Sequence, residues 1–144
     1  MKYLFMMALL VVSMFSRFSA QEKQDPWTDS QLMDPALLAS RITENKTKNA
    51  VIISVGPEAI IKGSVDIGPT REPENLEKLR NYLKNIPKDR EVIIYCGCCP
   101  FVKCPNIRPA FKLLQEMGFN NAKLLNLPKN IKVDWLDKDY PINE

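Results

Sequence analysis

Histidine is absent from the 144-residue chain. Its absence excludes histidine-ligated metal sites, Cys-His and Ser-His catalytic pairs, c-type haem attachment and any imidazole acid-base catalyst. A concentrated basic run is also missing. Two of the 20 basic residues, Lys2 and Arg17, lie in the first twenty positions, where there is no acidic residue, and the rest of the chain is nearly neutral. Nucleic acid is therefore not an expected partner.

The amino terminus has the composition of a secretory signal peptide. Residues 3–15 are uncharged and mostly apolar and follow Lys2. This segment is shorter than the roughly 20 residues that span a bilayer as a helix. The pattern predicts a signal peptide over residues 1–20, cleaved after Ala20, with an uncleaved tether as the alternative. The mature chain is then expected to be periplasmic or secreted, without a membrane span, in a compartment where cysteines can pair.

Strand and helix patterns alternate along the rest of the chain, which is typical of an α/β fold with a parallel sheet. Residues 21–33 are predicted to be an extended lead-in and 34–144 a single domain. Asn106 is a candidate N-cap for the third helix. Strands are predicted at 50–55, 64–67, 91–95 and 122–127, helices at 34–42, 73–85 and 106–117, and one helical turn at 58–62.

The four cysteines all fall within nine residues, 96–104. This segment follows the predicted strand 91–95 and precedes a predicted helix, so it lies beyond the carboxyl end of a strand, where ligands bind in open parallel sheets. Unpaired N–H groups at the start of the helix favour a thiolate or a bound anion. Cys96 leaves the sheet directly, whereas Cys98, Cys99 and Cys104 are expected on a proline-containing excursion that the sheet does not fix.

The sequence IIYCG at 93–97 resembles the rhodanese family of sulfurtransferases, together with the loop CGCCPFVKCPNIRPAF and the later Gly118-Phe119, Trp135 and Tyr140-Pro141. The likeness runs over about residues 34–142, and the long loop resembles that of exported bacterial rhodanese-like proteins. The resemblance implies a central parallel sheet flanked by helices. It also implies that Cys96 carries sulfur as a persulfide, without any cofactor, and that Arg108 shapes the loop.

The resemblance leads to the hypothesis of an exported thiosulfate sulfurtransferase, whose partners are a small anionic sulfur donor and a thiophilic acceptor. Arg108 and Lys103 are candidates for binding that donor. The remaining cysteines, Cys98, Cys99 and Cys104, are candidates for a structural disulfide, with Cys98 or Cys99 pairing with Cys104, or for resolving an oxidised or persulfidated Cys96.

Two other functions remain open on the sequence. The first is a thiol-disulfide redox protein, in which Cys96 and a partner in the loop cycle between dithiol and disulfide. The second is a non-catalytic module that binds a metal ion or a partner protein through the loop. All four cysteines are then candidate ligands, and thiolates suit Zn²⁺ or Cu⁺ in kind, although the usual paired spacing of zinc sites is missing.

Overall fold

The computed structural model describes residues 25–144, and the predicted signal peptide lies outside the described residues. The elements follow in the order β1 (Leu32–Met33), α1 (Pro35–Thr43), β2 (Ala50–Ser54), β3 (Ser64–Asp66), α2 (Pro73–Leu83), β4 (Glu91–Tyr95), α3 (Ile107–Glu116), β5 (Ala122–Leu125) and α4 (Ile131–Asp134). Short 3₁₀ turns occur at Asp29–Gln31, Phe101–Lys103 and Leu136–Lys138.

The five strands form one parallel sheet in the order β1-β5-β4-β2-β3. β4 lies at its centre, with β2 and β5 as neighbours. This confirms the predicted α/β class and the four predicted strands. Most residues of β2 and β4 are buried, whichever face of the sheet they point to, as is typical of parallel strands between helices.

The sheet separates two apolar cores. On one face, α2 and α3 pack against Val92 and Ile94 of β4. On the other, α1 and Trp135 pack against Ile93 and Tyr95. Successive strand residues point to opposite faces, so Cys96, one step beyond the end of β4, lies on the α2 and α3 side.

The lead-in contributes to the domain from Asp25 onward, since Asp25 forms an ion pair with Arg108 of α3. Trp27 is buried against Phe101 and Phe111, with ring centroids 6.0 and 5.8 Å away. Leu32 and Met33 pair with Leu124 and Leu125 as the edge strand β1. The sequence does not predict this strand, because a segment of two residues is too short to show a strand pattern.

The predicted helical turn at 58–62 is wrong. Ile61 forms an antiparallel bridge with Ile142 instead, and its N–H donates to the Tyr95 hydroxyl at 3.1 Å. Ile61 is completely buried. Contacts with distant residues therefore override the weak local helical pattern. Among the described residues 25–144, no helix is long and apolar enough to cross a membrane.

Candidate active site

Cys96 stands at the carboxyl end of the central strand. The Val55 N–H donates to the carbonyl of Tyr95 at 2.8 Å, which continues the β2–β4 pairing up to the residue before the cysteine. Cys96 is only 5% exposed. The sheet thus fixes its backbone, and its sulfur is nearly withdrawn from solvent.

Gly56 lies directly against Cys96, at the end of the neighbouring strand. A Cβ atom at position 56 would stand 2.2 Å from the Cys96 carbonyl oxygen and 2.9 Å from its Sγ. No real side chain fits such a gap, so glycine is required here by the close approach of two chains. The local sequence pattern does not reveal this role of Gly56, because the contact depends on the pairing of two strands.

The chain turns away from the sheet at Gly97, whose φ of +85° is a left-handed conformation that favours glycine. Its carbonyl accepts the Ile131 N–H at 2.9 Å, and an added Cβ would stand 2.8 Å from the Ile131 side chain. This turn directs the following cysteines over the end of the sheet.

The rest of the loop lies outside the sheet, and hydrogen bonds to residues outside the strands anchor it. The Phe101 N–H donates to the Leu127 carbonyl at 3.2 Å, and the Cys104 N–H donates to the Phe101 carbonyl at 3.1 Å. Cys104 is completely buried, whereas Cys98 is exposed and Cys99 is half-buried. The loop therefore returns one thiol to the core beside Cys96.

The structure brings three of the four sulfurs together. The Sγ atoms of Cys96, Cys98 and Cys104 all lie within 4.8 Å of one another. The Cys96 and Cys98 sulfurs are 3.2 Å apart, and those of Cys98 and Cys99 are 3.4 Å apart. All four cysteines are free thiols, so the structure contains neither of the structural disulfides considered from the sequence.

Asn106 is a residue of the site that the sequence does not reveal. It precedes α3 in the predicted capping position, but its backbone is helical and its side chain makes no capping hydrogen bond. Its Oδ1 instead accepts the Arg71 N–H at 3.0 Å, and its carbonyl accepts the Thr70 hydroxyl at 2.6 Å. These bonds aim Nδ2 at Cys96, where it donates to Sγ at 3.3 Å.

The thiols around Cys96 hold it in the thiolate form. Hydrogen bonding from Cys104, and then from Asn106 and Cys98, lowers the pKa of Cys96 to about 5, against the opposing effect of burial. Burial and the neighbouring Cys96 thiolate raise the pKa of Cys98 to about 12. The Cys96 thiolate and burial also raise the pKa of Cys104. At neutral pH the site holds one thiolate and protonated neighbours that donate to it.

Lys103 and Arg108 are not part of the sulfur cluster as Asn106 is. The Arg108 guanidinium forms an ion pair with Asp25 and lies 5.2 Å from the centre of the Trp27 ring. Lys103 is exposed at the end of the 3₁₀ turn in the loop. The binding of an anionic donor by these two residues stays a prediction.

Replacing Asn106 with Asp is expected to make Cys96 less acidic. Asp keeps an oxygen for the Arg71 N–H but exchanges the N–H donor at Cys96 for a negative charge, which raises the pKa of the thiol. The acid limb of Cys96 alkylation by iodoacetamide, followed by mass spectrometry as a function of pH, should move to higher pH by about one unit or more. Asn121→Asp, at an exposed position, is the control. An unchanged acid limb in Asn106→Asp would contradict this role.

Comparison with known proteins gives structural matches only. No protein-family model and no curated protein matches the sequence. A single-domain sulfurtransferase from Saccharomyces cerevisiae is similar in structure, with a TM-score of 0.54, 18% sequence identity and coverage of 75% of this chain and 89% of that one. An NAD-dependent persulfide reductase from A. fulgidus matches with a TM-score of 0.36 and 20% identity over 69% of this chain and 18% of that one. The described part of the chain therefore has the same fold as this single-domain sulfurtransferase, the rhodanese-like fold that the sequence resemblance implies.

Proposed function

We propose that the protein is an exported sulfurtransferase that carries sulfane sulfur as a persulfide on Cys96. The observation that carries the proposal is the Cys96 sulfur at the end of the central strand, surrounded by hydrogen-bond donors. The Asn106 amide and the thiols of Cys98 and Cys104 surround its sulfur. The likeness of fold to a yeast sulfurtransferase supports this class of reaction.

The reaction consists of two displacements at sulfur. The Cys96 thiolate attacks the outer sulfur of thiosulfate. A new S–S bond forms, the S–S bond of thiosulfate breaks, and sulfite leaves with the bonding electrons. A thiophilic acceptor, such as cyanide, then attacks the outer sulfur of the persulfide and leaves as thiocyanate, while Cys96 is restored as a thiolate. Sulfur stays at the same total oxidation level throughout, so no cofactor is needed.

Neither step requires a proton to be moved by a side chain. With a pKa of about 5, Cys96 is ionised at neutral pH before the donor arrives. The same donors that stabilise this thiolate stabilise it again as the leaving group in the second step. The chain can therefore carry out this chemistry without histidine.

The burial of Cys96 restricts the donor. At 5% exposure its sulfur is accessible only to a narrow group such as the terminal sulfur of a small anion. We assign the initial attraction of that anion to Lys103 on the loop and to the amino-terminal end of α3, whose unpaired N–H groups favour negative charge. The proposed second step requires of the acceptor only a high affinity for sulfane sulfur.

Export is proposed from the amino-terminal pattern alone. The apolar segment 3–15 behind Lys2 supports secretion and removal of residues 1–20. Sequencing the amino terminus of protein recovered from outside the cytoplasm should begin at Gln21. A chain that begins at Met1 in that fraction would contradict cleavage.

The central test is loading of the reduced protein with thiosulfate, followed by intact-mass measurement and addition of cyanide. The expected result is a mass gain of one sulfur atom per chain that disappears as thiocyanate forms. The absence of both the mass gain and thiocyanate would refute the proposed reaction.

The distance between the Cys96 and Cys98 sulfurs favours a second candidate, a thiol-disulfide redox protein. At 3.2 Å the two atoms are close enough to form a bond after a small movement. The same mass measurement separates the candidates. A redox protein should lose two hydrogen masses on mild oxidation, regain them with a dithiol reductant, and gain no sulfur from thiosulfate.

A further inference from the structure

We propose that Cys96, Cys98 and Cys104 bind a soft monovalent metal ion, Cu⁺, through their three sulfurs. Their Sγ atoms lie within 4.8 Å of one another, and they come from three different places: the end of β4, the middle of the loop and the approach to α3. The site shares Cys96 with the proposed sulfur transfer but requires only the three thiols.

The distances suit a metal ion. A metal-sulfur bond of about 2.3 Å, the value for zinc thiolates, places neighbouring sulfurs roughly 3.8 to 4.0 Å apart in tetrahedral or trigonal geometry. The observed distances range from 3.2 Å between Cys96 and Cys98 to at most 4.8 Å within the group. The sulfurs therefore reach bonding positions with movements of under about 1 Å.

Two of the three ligands are already fixed. Cys96 is held by the sheet, and Cys104 is completely buried with its N–H bonded to the Phe101 carbonyl. Cys98 is exposed and provides both the entry path and the adjustable third ligand. Asn106 donates to the Cys96 sulfur from outside the ligand set, an outer contact of the kind that orients a metal ligand.

The donor set selects the class of ion. Sulfur alone, without nitrogen or oxygen ligands, suits soft ions such as Cu⁺ and, among divalent ions, Zn²⁺. Structural zinc sites are almost always closed by four ligands, and Cys99, the only other cysteine, is not within this group of three. Cu⁺ accepts a three-sulfur set as it stands. On binding, the protons of Cys98 and Cys104 pass to solvent, and no electron is transferred.

The test is an anaerobic titration of the reduced full chain with Cu⁺ buffered by bathocuproine disulfonate, a coloured chelator specific for this ion. The wild-type protein should withdraw one Cu⁺ per chain from the chelator and keep it in the presence of equal Zn²⁺. Cys98→Ser should weaken binding by about tenfold or more, since it removes a ligand. Because Cys98 is exposed, this variant should fold normally, which circular dichroism can verify.

Cys99→Ser is the matched control, a neighbouring cysteine outside the group of three, and should bind Cu⁺ like the wild type. The proposal is overturned if the wild-type protein leaves all Cu⁺ on the chelator, if Zn²⁺ displaces Cu⁺, or if Cys99→Ser weakens binding as much as Cys98→Ser. Failure of sulfur transfer with Cu⁺ binding intact would refute only the proposed function.

Discussion

Cys96→Ser is expected to abolish sulfur transfer, with a loss of at least about a thousandfold in the rate of thiocyanate formation. A serine hydroxyl stays protonated at neutral pH and cannot hold sulfane sulfur as a persulfide. The hydrogen bonds that make Cys96 acidic, from Cys104 and Asn106, would act on an oxygen that does not ionise in this range. The rate should be measured with thiosulfate as donor and cyanide as acceptor.

Cys99→Ser serves as the control for this experiment. Cys99 is half-buried, belongs to the same loop and contacts Cys98, at 3.4 Å, but lies outside the group of three sulfurs. It should retain most of the wild-type rate. If Cys96→Ser stays active and Cys104→Ser is inactive, then the sulfur carrier is Cys104, and the position of Cys96 at the end of β4 has been misinterpreted.

The architecture follows largely from local sequence patterns. The runs at 50–55, 91–95 and 122–127 are short and mostly apolar, and such runs in alternation with amphipathic helices leave few arrangements other than a parallel sheet. The helix at Pro35–Thr43 begins where expected because Asp34 accepts the N–H groups of Ala36 and Leu37. The error at 58–62 arises from remote contacts of Ile61, which no local pattern contains.

The candidate site is only partly predictable. The sequence locates the cysteine loop and Cys96, because strand and loop are adjacent in the chain. It does not reveal Asn106, since an asparagine before a helix is ordinarily a cap. Only the folded chain shows that the Arg71 N–H occupies its oxygen and turns its nitrogen toward the thiolate. The burial of Cys104 likewise depends on the return of the loop to the core.

Gly56→Ala is expected to damage stability and activity together. The methyl group would stand 2.2 Å from the Cys96 carbonyl oxygen, which is backbone and cannot rotate away. Relieving this overlap requires the ends of β2 and β4 to separate. Forced overpacking of this kind costs roughly 3 kcal/mol in free energy of unfolding. A displacement of the nucleophile by about 1 Å costs on the order of a hundredfold in rate.

Gly63→Ala separates this local effect from a general loss of stability. Gly63 has a φ of +78° with nothing within 4 Å of an added Cβ, so its replacement brings only backbone strain, about 1 kcal/mol. Denaturant unfolding should show a loss in both variants, larger for Gly56→Ala. Sulfite release in a single turnover, at a temperature where both are folded, should fall only in Gly56→Ala. Equal rates in the two variants would show that the contact between Gly56 and Cys96 does not position the nucleophile.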